Sequence, residues 1–339
     1  MIGDDQDLLW VIAEQAGGEI LPVCLELIGH ARKLAIDLGA RVEVILLGSK
    51  IDHLAGRLIS AGADLVYLGN APDFEPYQPE IFTESITSLA MRNRPQVILI
   101  GSTFMGRELA PLVAAKLGTG LTAHCTNLVW GENRLLEQQI PAYGGIMTIV
   151  CPEKRPQIAT VARGVFPIPD LDEERTGEIV PVEIPQGLET RVKTLKIVHS
   201  EPEGVPLETA PLVVAGGAGA GSFEGWQEIQ ELADTLKAAF GSTRPAVDEG
   251  WTDLETMIGQ SGKMVNPEVY IGIGLSGEQQ HMVGISGAKT MIAINNDPKA
   301  PVFDQVDYGI IADCRVFVPA LVRKLKELRE SSGSAAHDV

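Results

Sequence analysis

A run of glycines between an apolar segment and an amphipathic one is the feature of this sequence best suited to binding a ligand. Leu212-Val213-Val214-Ala215 has the composition of a buried strand, and Gly216, Gly217 and Gly219 follow it in a turn that ends at Gly221. The residues after the turn carry apolar side chains at helical spacing, which predicts a helix. A glycine-rich turn that leads into a helix presents backbone N–H groups and the positive end of the helix dipole, and both suit a pyrophosphate.

Two explanations of these glycines stay open at this point. Ser222 stands where the dinucleotide motif G-x-G-x-x-G requires its third glycine, so the ordinary nicotinamide fingerprint is absent. The glycines would also serve a tight turn alone, since glycine adopts positive φ angles at no steric cost. Further along, Gly262-Lys263 is not part of a nucleoside-triphosphate loop, because Met257 and Met264 stand where that motif requires Gly and Ser or Thr.

Polar segments recur in the C-terminal half, each just after a predicted strand or before the next helix. In an open parallel sheet the carboxyl ends of the strands meet at one edge, and ligands bind there. Five such segments predict an edge long enough for a dinucleotide. In chain order they are Ser242-Thr243-Arg244, Gly259 to Lys263, Ser276 to His281, Asn295-Asn296-Asp297, and Asp313.

Composition and charge exclude several classes of partner. The chain has 339 residues, of which 45% are hydrophobic, and a formal net charge of −18. This charge repels phosphate backbones and anionic lipid, so nucleic acids and membrane surfaces are poor partners. No apolar run approaches the ~20 residues of a membrane-spanning helix. Neither a basic segment nor an apolar signal core precedes the first predicted strand, so we expect a cytoplasmic protein.

The cysteines predict no metal site. Four are present, far apart and without a C-x-x-C pair, so neither a zinc nor an iron–sulfur ligand set is available. We expect reduced, buried thiols. They are Cys24, Cys125, Cys151 and Cys314.

Hydrophobic periodicity predicts the elements that position these residues. The N-terminal half first alternates apolar runs with amphipathic stretches, as in a parallel sheet covered by helices. Strands are expected there at Leu8–Ala13, Val42–Leu47, Leu65–Leu68 and Val97–Ile100, and helices around Leu25–Ala35 and Leu109–Leu117. The next runs are joined by turns and predict that the unit ends in a mixed sheet. They are Leu121–Trp130, Ile146–Cys151, Ile158–Val161 and Val192–Val198.

The β/α alternation resumes at Leu212. Strands are expected at Leu212–Ala215, Val269–Ile273, Met291–Asn295 and Tyr308–Ile311, and a closing helix from Val318 to Glu330. The stretches at 170–187 and 201–206 are rich in Pro and Glu and lack periodicity, which is typical of connections. We therefore expect an α/β protein of two doubly wound, mainly parallel-sheet domains, at residues 1–205 and 206–330, with a flexible tail at 331–339.

At this point the motifs resemble a known family. The stretch from Ser242 to Trp251, the Gly-Gln-Ser-Gly-Lys run at 259–263, Tyr270 to Gly277 with Gln280-His281, and Ala293 to Pro298 are similar, in order and spacing, to the FAD-domain motifs of electron transfer flavoprotein α subunits. The resemblance covers roughly residues 211–325. Gly118–Ala123 and Arg155–Val161 resemble the family's N-terminal half, especially its electron-bifurcating branch.

The resemblance implies a Rossmann-like C-terminal domain with bound FAD. It places Arg244 beside the flavin ring, Ser261 near the flavin N5, and His281 as a hydrogen-bond donor to the flavin C2 carbonyl, all of which tune the flavin. A surface ion pair for Arg244, a helix cap for Ser261 and a structural role for His281 stay open. The implied FAD contacts are Gly216, Gly217, Gly219, Thr243, Arg244, Ile258, Gly259, Gln260, Ser261, Ser276, Gly277, Glu278, Gln279, Gln280, His281, Asn295, Asp313 and Cys314.

Three departures from the family pattern concern its subtype. Ala218 replaces an arginine usual after the first Gly-Gly, which removes one cation near the cofactor. The segment from Ile140 to Ile146 replaces a pattern that commonly begins with Arg, and His124 stands where bifurcating relatives often have an acid.

The resemblance implies a heterodimer with a β subunit, an electron donor similar to an acyl-CoA dehydrogenase, and ferredoxin and NADH as partners if the complex bifurcates electrons. Two other functions remain. One is a nucleotide-binding structural or regulatory subunit without redox chemistry. The other is an NAD-dependent dehydrogenase, which the missing fingerprint disfavours.

Overall fold

The computed structural model describes residues 7–142, 145–182, 190–192, 194–197 and 205–334. The chain divides into two compact units, Met1–Val198 and His199–Val339. The domain boundary expected after residue 205 stays a prediction, because residues 198–204 lie outside the described part of the chain.

A parallel sheet of seven strands forms the centre of the first unit, in the order β12-β5-β4-β1-β6-β11-β7. A separate antiparallel sheet has the order β10-β9-β8, and β2 pairs with β3. The strands are β1 (Leu8–Ala13), β2 (Gln15–Ala16), β3 (Glu19–Ile20), β4 (Arg41–Gly48), β5 (Leu65–Asn70), β6 (Val97–Gly101), β7 (Leu121–Cys125), β8 (Asn127–Trp130), β9 (Leu136–Ala142), β10 (Gly145–Ile149), β11 (Gln157–Val161) and β12 (Glu178–Pro181). The helices are α1 (Pro22–Leu38), α2 (Ala55–Ser60), α3 (Pro79–Asn93) and α4 (Phe104–Leu117).

The two faces of this sheet bury separate cores, which makes the unit doubly wound. Leu9 and Val11 of β1 pack with α1 and α2, whereas Trp10 and Ile12 pack with α3 and α4. This follows from the alternation of side chains along a strand. Because both faces are covered, the central strands are continuous apolar runs.

Some predictions for the first unit were wrong. Its main sheet is purely parallel, because the antiparallel strands form their own sheet instead of extending it. The run Leu121–Trp130 is two strands in two sheets, separated at Thr126. The described residues of Val192–Val198 form no strand. Residues 143 and 144 of the segment that departs from the family pattern lie outside the described residues.

The second unit has a five-stranded parallel sheet in the order β14-β13-β15-β16-β17. Its strands are β13 (Leu212–Gly216), β14 (Ala239–Ser242), β15 (Val269–Ile273), β16 (Thr290–Asn295) and β17 (Tyr308–Ile311). Its helices are α5 (Phe223–Leu236), α6 (Arg244–Asp248), α7 (Gln279–Met282) and α8 (Cys314–Ser334). The α/β architecture with parallel sheets is thereby confirmed.

One face of this sheet packs on α5 and α8, and the other on α7 and nearby loops. Helix α8 begins at Cys314, four residues before the predicted start, and its last residues, 331–334, belong to the segment expected as a tail. Residues 335–339 lie outside the described part.

Candidate functional site

The sheet of the second unit has a topological switch point between β13 and β15. The chain passes from β13 to β14 on one side and then crosses to β15 on the other, so the direction of winding reverses there. In open parallel sheets, ligands bind outside the carboxyl ends of the strands at such a point. Gly216 ends β13 and Ile273 ends β15, so the glycine-rich turn and the loop at Ser276 both start at this place.

The glycine-rich turn is held against the end of β15 by its own amides. The Gly217 N–H donates to the Ile273 carbonyl at 2.9 Å, and the Gly219 N–H donates to the Gly274 carbonyl at 2.8 Å. A Cβ on Gly219 would lie 2.6 Å from the Gly274 Cα, so glycine is required for this approach. The next two amides close a short 3-10 turn. These amides donate within the protein, so the predicted pyrophosphate contact must rest on other donors.

The first turn of α8 brings an unexpected cation to the glycine-rich turn. The Cys314 thiol donates to the Gly219 carbonyl with a sulfur–oxygen distance of 3.3 Å. A Cβ on Gly221 would lie 3.7 Å from Arg315 Nη1. Asp313 fixes this guanidinium by accepting from its Nε at 3.0 Å and its Nη2 at 2.7 Å. These hydrogen bonds hold the pKa of the Asp313 carboxyl below its usual range.

Arg315 was missed by the sequence reasoning. The pattern of strand ends identifies Asp313 and Cys314. An arginine in the first turn of the following helix is not distinguished by any sequence pattern from an ordinary surface arginine. Its place beside the turn depends on the packing of α8 against α5. Ala218, which stands where the resemblance implies an arginine, begins the same short turn, and Arg315 places a cation beside the end of that turn at Gly221.

Arg244 lies at the start of α6 with an exposed side chain. Its Nε donates to Asp248 Oδ1 at 2.7 Å, one helical turn away, so the surface ion pair considered from the sequence is present. Thr243 is buried, and its N–H donates to the Gly216 carbonyl at 3.0 Å. Arg244 therefore starts from the same strand-end edge as the glycine-rich turn, and its contact with a flavin stays a prediction.

The loop after α6 is joined to α7 by close backbone contacts. The Gln260 N–H donates to the Gln280 carbonyl at 2.7 Å. Gly259 has a φ of +139°, and a Cβ there would collide with the same carbonyl oxygen. Only glycine therefore allows the two loops to meet.

Two further side chains of this loop differ in environment. Lys263 Nζ lies 3.2 Å from Glu208 Oε1 and forms an ion pair with this carboxylate. Ser261 is exposed beside it. Its hydrogen bond to the flavin N5 stays a prediction.

His281 is buried, and both of its ring nitrogens have protein partners. Nδ1 lies 3.0 Å from the Ile258 carbonyl oxygen, and Nε2 lies 2.6 Å from the Tyr270 hydroxyl. Because a carbonyl only accepts, we assign the ring proton to Nδ1, and Nε2 accepts from the Tyr270 hydroxyl. Burial lowers the pKa of this imidazole to about 4, so the ring is neutral near pH 7.

This geometry favours the structural role for His281 that the sequence left open. With Nδ1–H donated to Ile258, no ring N–H is left for the flavin C2 carbonyl in this arrangement. The imidazole instead joins α7 to the loop that carries Ser261. The role of Tyr270 was not predicted, because the sequence pattern of a strand does not show whether a tyrosine hydroxyl makes a hydrogen bond.

The loops after β15 and β16 are also fixed by internal contacts. The Ser276 backbone carbonyl accepts a hydrogen bond from the Val302 N–H at 2.9 Å. Gly277 has a φ of +82°, and a Cβ there would collide with the backbone of Val302. Asn295 donates to the Leu275 carbonyl at 2.8 Å and accepts the Asp297 N–H at 2.9 Å. The Asn295 side chain thus shapes the edge, and its predicted contact with the cofactor stays a prediction.

Comparison with known proteins identifies the family. The electron transfer flavoprotein domain model matches residues 9–186, and the electron transfer flavoprotein FAD-binding domain model matches residues 206–286. This chain belongs to the electron transfer flavoprotein α subunits. The family named from the sequence motifs is thereby confirmed.

Similar α subunits align over nearly the whole chain. The electron transfer flavoprotein subunit alpha of Thermoanaerobacterium thermosaccharolyticum is 42% identical over 329 residues, which cover 96% of this chain and 100% of that protein. Protein FixB of Clostridium saccharobutylicum is 40% identical, over 94% of this chain and 96% of that protein. The subunit alpha of Megasphaera elsdenii is 39% identical with the same coverage.

FAD is the cofactor of this electron transfer flavoprotein subunit, and the residues present fit it. The edge crosses five strands, which at a spacing of ~4.8 Å span roughly 19 Å, enough for a dinucleotide. Two guanidinium groups, of Arg244 and Arg315, suit the negative charges of a diphosphate or a reduced flavin. Other exposed polar residues there include Gln260, Ser261, Ser276, Glu278, Gln279, Gln280, Asn296 and Asp297.

Across the described ranges, no helix is both long and apolar enough to cross a bilayer. The cytoplasmic location expected from the sequence stays a prediction.

Proposed function

We propose that this α subunit pairs with an electron transfer flavoprotein β subunit and carries electrons from a dehydrogenase of the acyl-CoA dehydrogenase type to an acceptor. The observation that carries the proposal is the FAD-binding domain, whose strand-end edge is lined with exposed polar and cationic groups. FAD, when bound, supplies one- and two-electron chemistry. The protein's residues then bind the cofactor and set the charge around it.

Arg244 is the residue proposed to set that charge. A unit charge about 4 Å from the ring is worth on the order of 4 kcal/mol at an effective dielectric near 20. Exposure to solvent reduces this value, because surface charges are screened. Asp248 reduces it further, since its carboxylate lies 2.7 Å from the Arg244 Nε.

The Arg244–Asp248 pair allows two substitutions that should change the flavin potential in opposite directions. Arg244→Ala removes the cation and is expected to lower the reduction potential of the flavin. Asp248→Asn leaves the cation uncompensated and is expected to raise that potential. Arg323→Ala, an exposed arginine further along α8, serves as the matched control. Spectroelectrochemical titration of the flavin-loaded heterodimers measures the effect, and equal potentials in all four proteins would remove Arg244 from the flavin site.

The function itself is tested with the co-expressed heterodimer. Heat-released cofactor is identified by chromatography, and the intact complex is mixed with an acyl-CoA dehydrogenase and its substrate. We expect FAD, and bleaching of its visible absorbance as electrons arrive. A complex that carries only AMP, or is colourless, would instead support the non-redox structural subunit considered from the sequence.

The number of flavins separates two forms of the proposal. A simple carrier holds one FAD per heterodimer on the α subunit. A bifurcating complex holds a second FAD on the β subunit, and NADH then reduces ferredoxin together with a second acceptor. The FAD-to-protein ratio, followed by reduction with NADH, distinguishes the two forms.

A further inference from the structure

The first unit has a switch point of its own. β4 and β5 extend the sheet on one side of β1, and β6 lies on the other side. Glu14 directly follows β1, and Ser102 and Thr103 directly follow β6. His124 lies in β7 with a φ of 60°, where the register of β7 against β11 shifts. Such a bulge redirects a side chain, here toward the carboxyl edge of the sheet.

The two residues after β6 each make a hydrogen bond to one polar side chain: Ser102 to His124 and Thr103 to Glu14. Thr103 caps α4 by accepting a backbone N–H, and its hydroxyl donates to Glu14 Oε2 at 2.6 Å. Ser102 Oγ lies 2.9 Å from His124 Nδ1 and accepts from Arg107 Nε at 3.2 Å. We call these five residues the β1–β6 site.

Two atoms of the β1–β6 site have no protein partner. In the described part of the chain, Glu14 Oε1 and His124 Nε2 are buried atoms without a hydrogen bond. The Glu14 side chain is almost entirely buried, with 4% exposure. Leaving such atoms unpaired costs free energy comparable to a lost hydrogen bond, so each of the two atoms calls for a partner, either a water molecule or a bound ligand.

Positive charge next to these atoms offsets the partly ionised Glu14 carboxyl. Arg107 is exposed in the first turn of α4, and the N-terminus of this 14-residue helix adds partial positive charge. Burial raises the pKa of the Glu14 carboxyl to about 7, although the Thr103 hydrogen bond and the charge of Arg163, just after β11, both act to lower it. Burial and Arg107 lower the pKa of His124, so its ring is neutral at pH 7. Because Ser102 Oγ already accepts from Arg107 Nε, we assign the Ser102 hydroxyl as the donor to Nδ1, so that Nε2 carries the ring proton and can donate.

We propose that the β1–β6 site binds a small hydroxylated anion of the sugar-phosphate class. Arg107 and His124 Nε2–H donate to the anionic group, and Glu14 Oε1 pairs with a hydroxyl of the same molecule. This site belongs to the first unit and does not depend on the FAD site of the second.

Isothermal titration of the FAD-loaded heterodimer with ribose 5-phosphate tests the proposal. Inorganic phosphate and ribose serve as the two half-probes, and we expect ribose 5-phosphate to bind at least about tenfold more tightly than either, since it engages both halves of the site. Arg107→Gln is expected to weaken binding about tenfold. Arg92→Gln removes the same charge from an exposed position in the last turn of α3, and should leave binding unchanged. No heat in the millimolar range, or equal losses in both variants, would overturn the proposal.

The ring nitrogens of His124 give a second readout that needs no variant of a buried residue. Adding ribose 5-phosphate is expected to shift the Nε2 resonance of His124 in long-range ¹H–¹⁵N spectra, while His281 stays unchanged. An unchanged His124 resonance at a saturating concentration of the probe would mean that water alone pairs these atoms, and the proposed site would be rejected.

Discussion

Replacing Tyr270 by phenylalanine isolates the hydrogen bond that fixes His281. The change removes the hydroxyl that donates to Nε2 at 2.6 Å and keeps the ring in the core. Tyr270 is 1% exposed and His281 is 7% exposed, so water cannot replace the donor without opening the packing. A buried acceptor left without its donor costs roughly 1–3 kcal/mol. We therefore expect the free energy of unfolding to fall by about 2 kcal/mol.

Urea unfolding of the heterodimer at fixed FAD concentration measures this change, since bound cofactor contributes to stability. Tyr308→Phe is the matched control. Its hydroxyl is lost from a residue that is 64% exposed, so a change within about 0.5 kcal/mol is expected. The ¹⁵N spectrum of the wild-type imidazole should show a neutral ring with the proton on Nδ1. Equal stability of the two variants, together with a ring protonated on Nε2, would refute the assigned bridge.

Three further changes test other parts of the structure. Gly219→Ala is expected to lower both the melting temperature and the FAD content, because a Cβ there would lie 2.6 Å from the Gly274 Cα; thermal scans and flavin absorbance measure both. Arg315→Gln should raise the FAD dissociation constant about tenfold, by fluorescence titration, whereas Arg323→Gln should not change it. The pKa of His281 is lowered to about 4 when folded, so its stabilising contribution is complete above its unfolded value near 6.5 and is lost as the pH falls toward 4. We expect the free energy of unfolding, measured with urea, to fall by on the order of 3 kcal/mol over this pH range. In His281→Asn the free energy of unfolding should fall correspondingly less over the same range.

The central strands were predictable because a strand buried on both faces is a continuous apolar run. Helix α3 was not identified, because buried hydroxyl residues interrupt its apolar stripe of Phe82, Ile86, Leu89 and Ala90. Thr83, Ser85 and Thr87 each donate to the carbonyl four residues earlier, which satisfies them inside the core but hides the helical period. Strand β14 has the sequence Ala-Phe-Gly-Ser, whose small residues have low strand propensity.

The location of the strand-end edge proposed to hold FAD was predictable because it follows from topology. Once strands and helices alternate, residues just after the strands must meet at one edge. The partners of individual side chains were not predictable in the same way. Tyr270 meets His281, and Arg315 meets the glycine-rich turn, only through the packing of elements that lie far apart in sequence.

The short strand β12 has a consequence for how this protein behaves at high concentration. The backbone N–H groups of Glu178 and Val182 point toward β5. Because N–H groups alternate in direction along a strand, the N–H of residue 181 would point away from the sheet, but this residue is Pro181, which has no N–H group. The open side of the strand therefore lacks a donor that another extended chain needs for continued pairing. Glu178 adds a charge at the same border. This rim of the sheet is thus protected against edge-to-edge growth into aggregates.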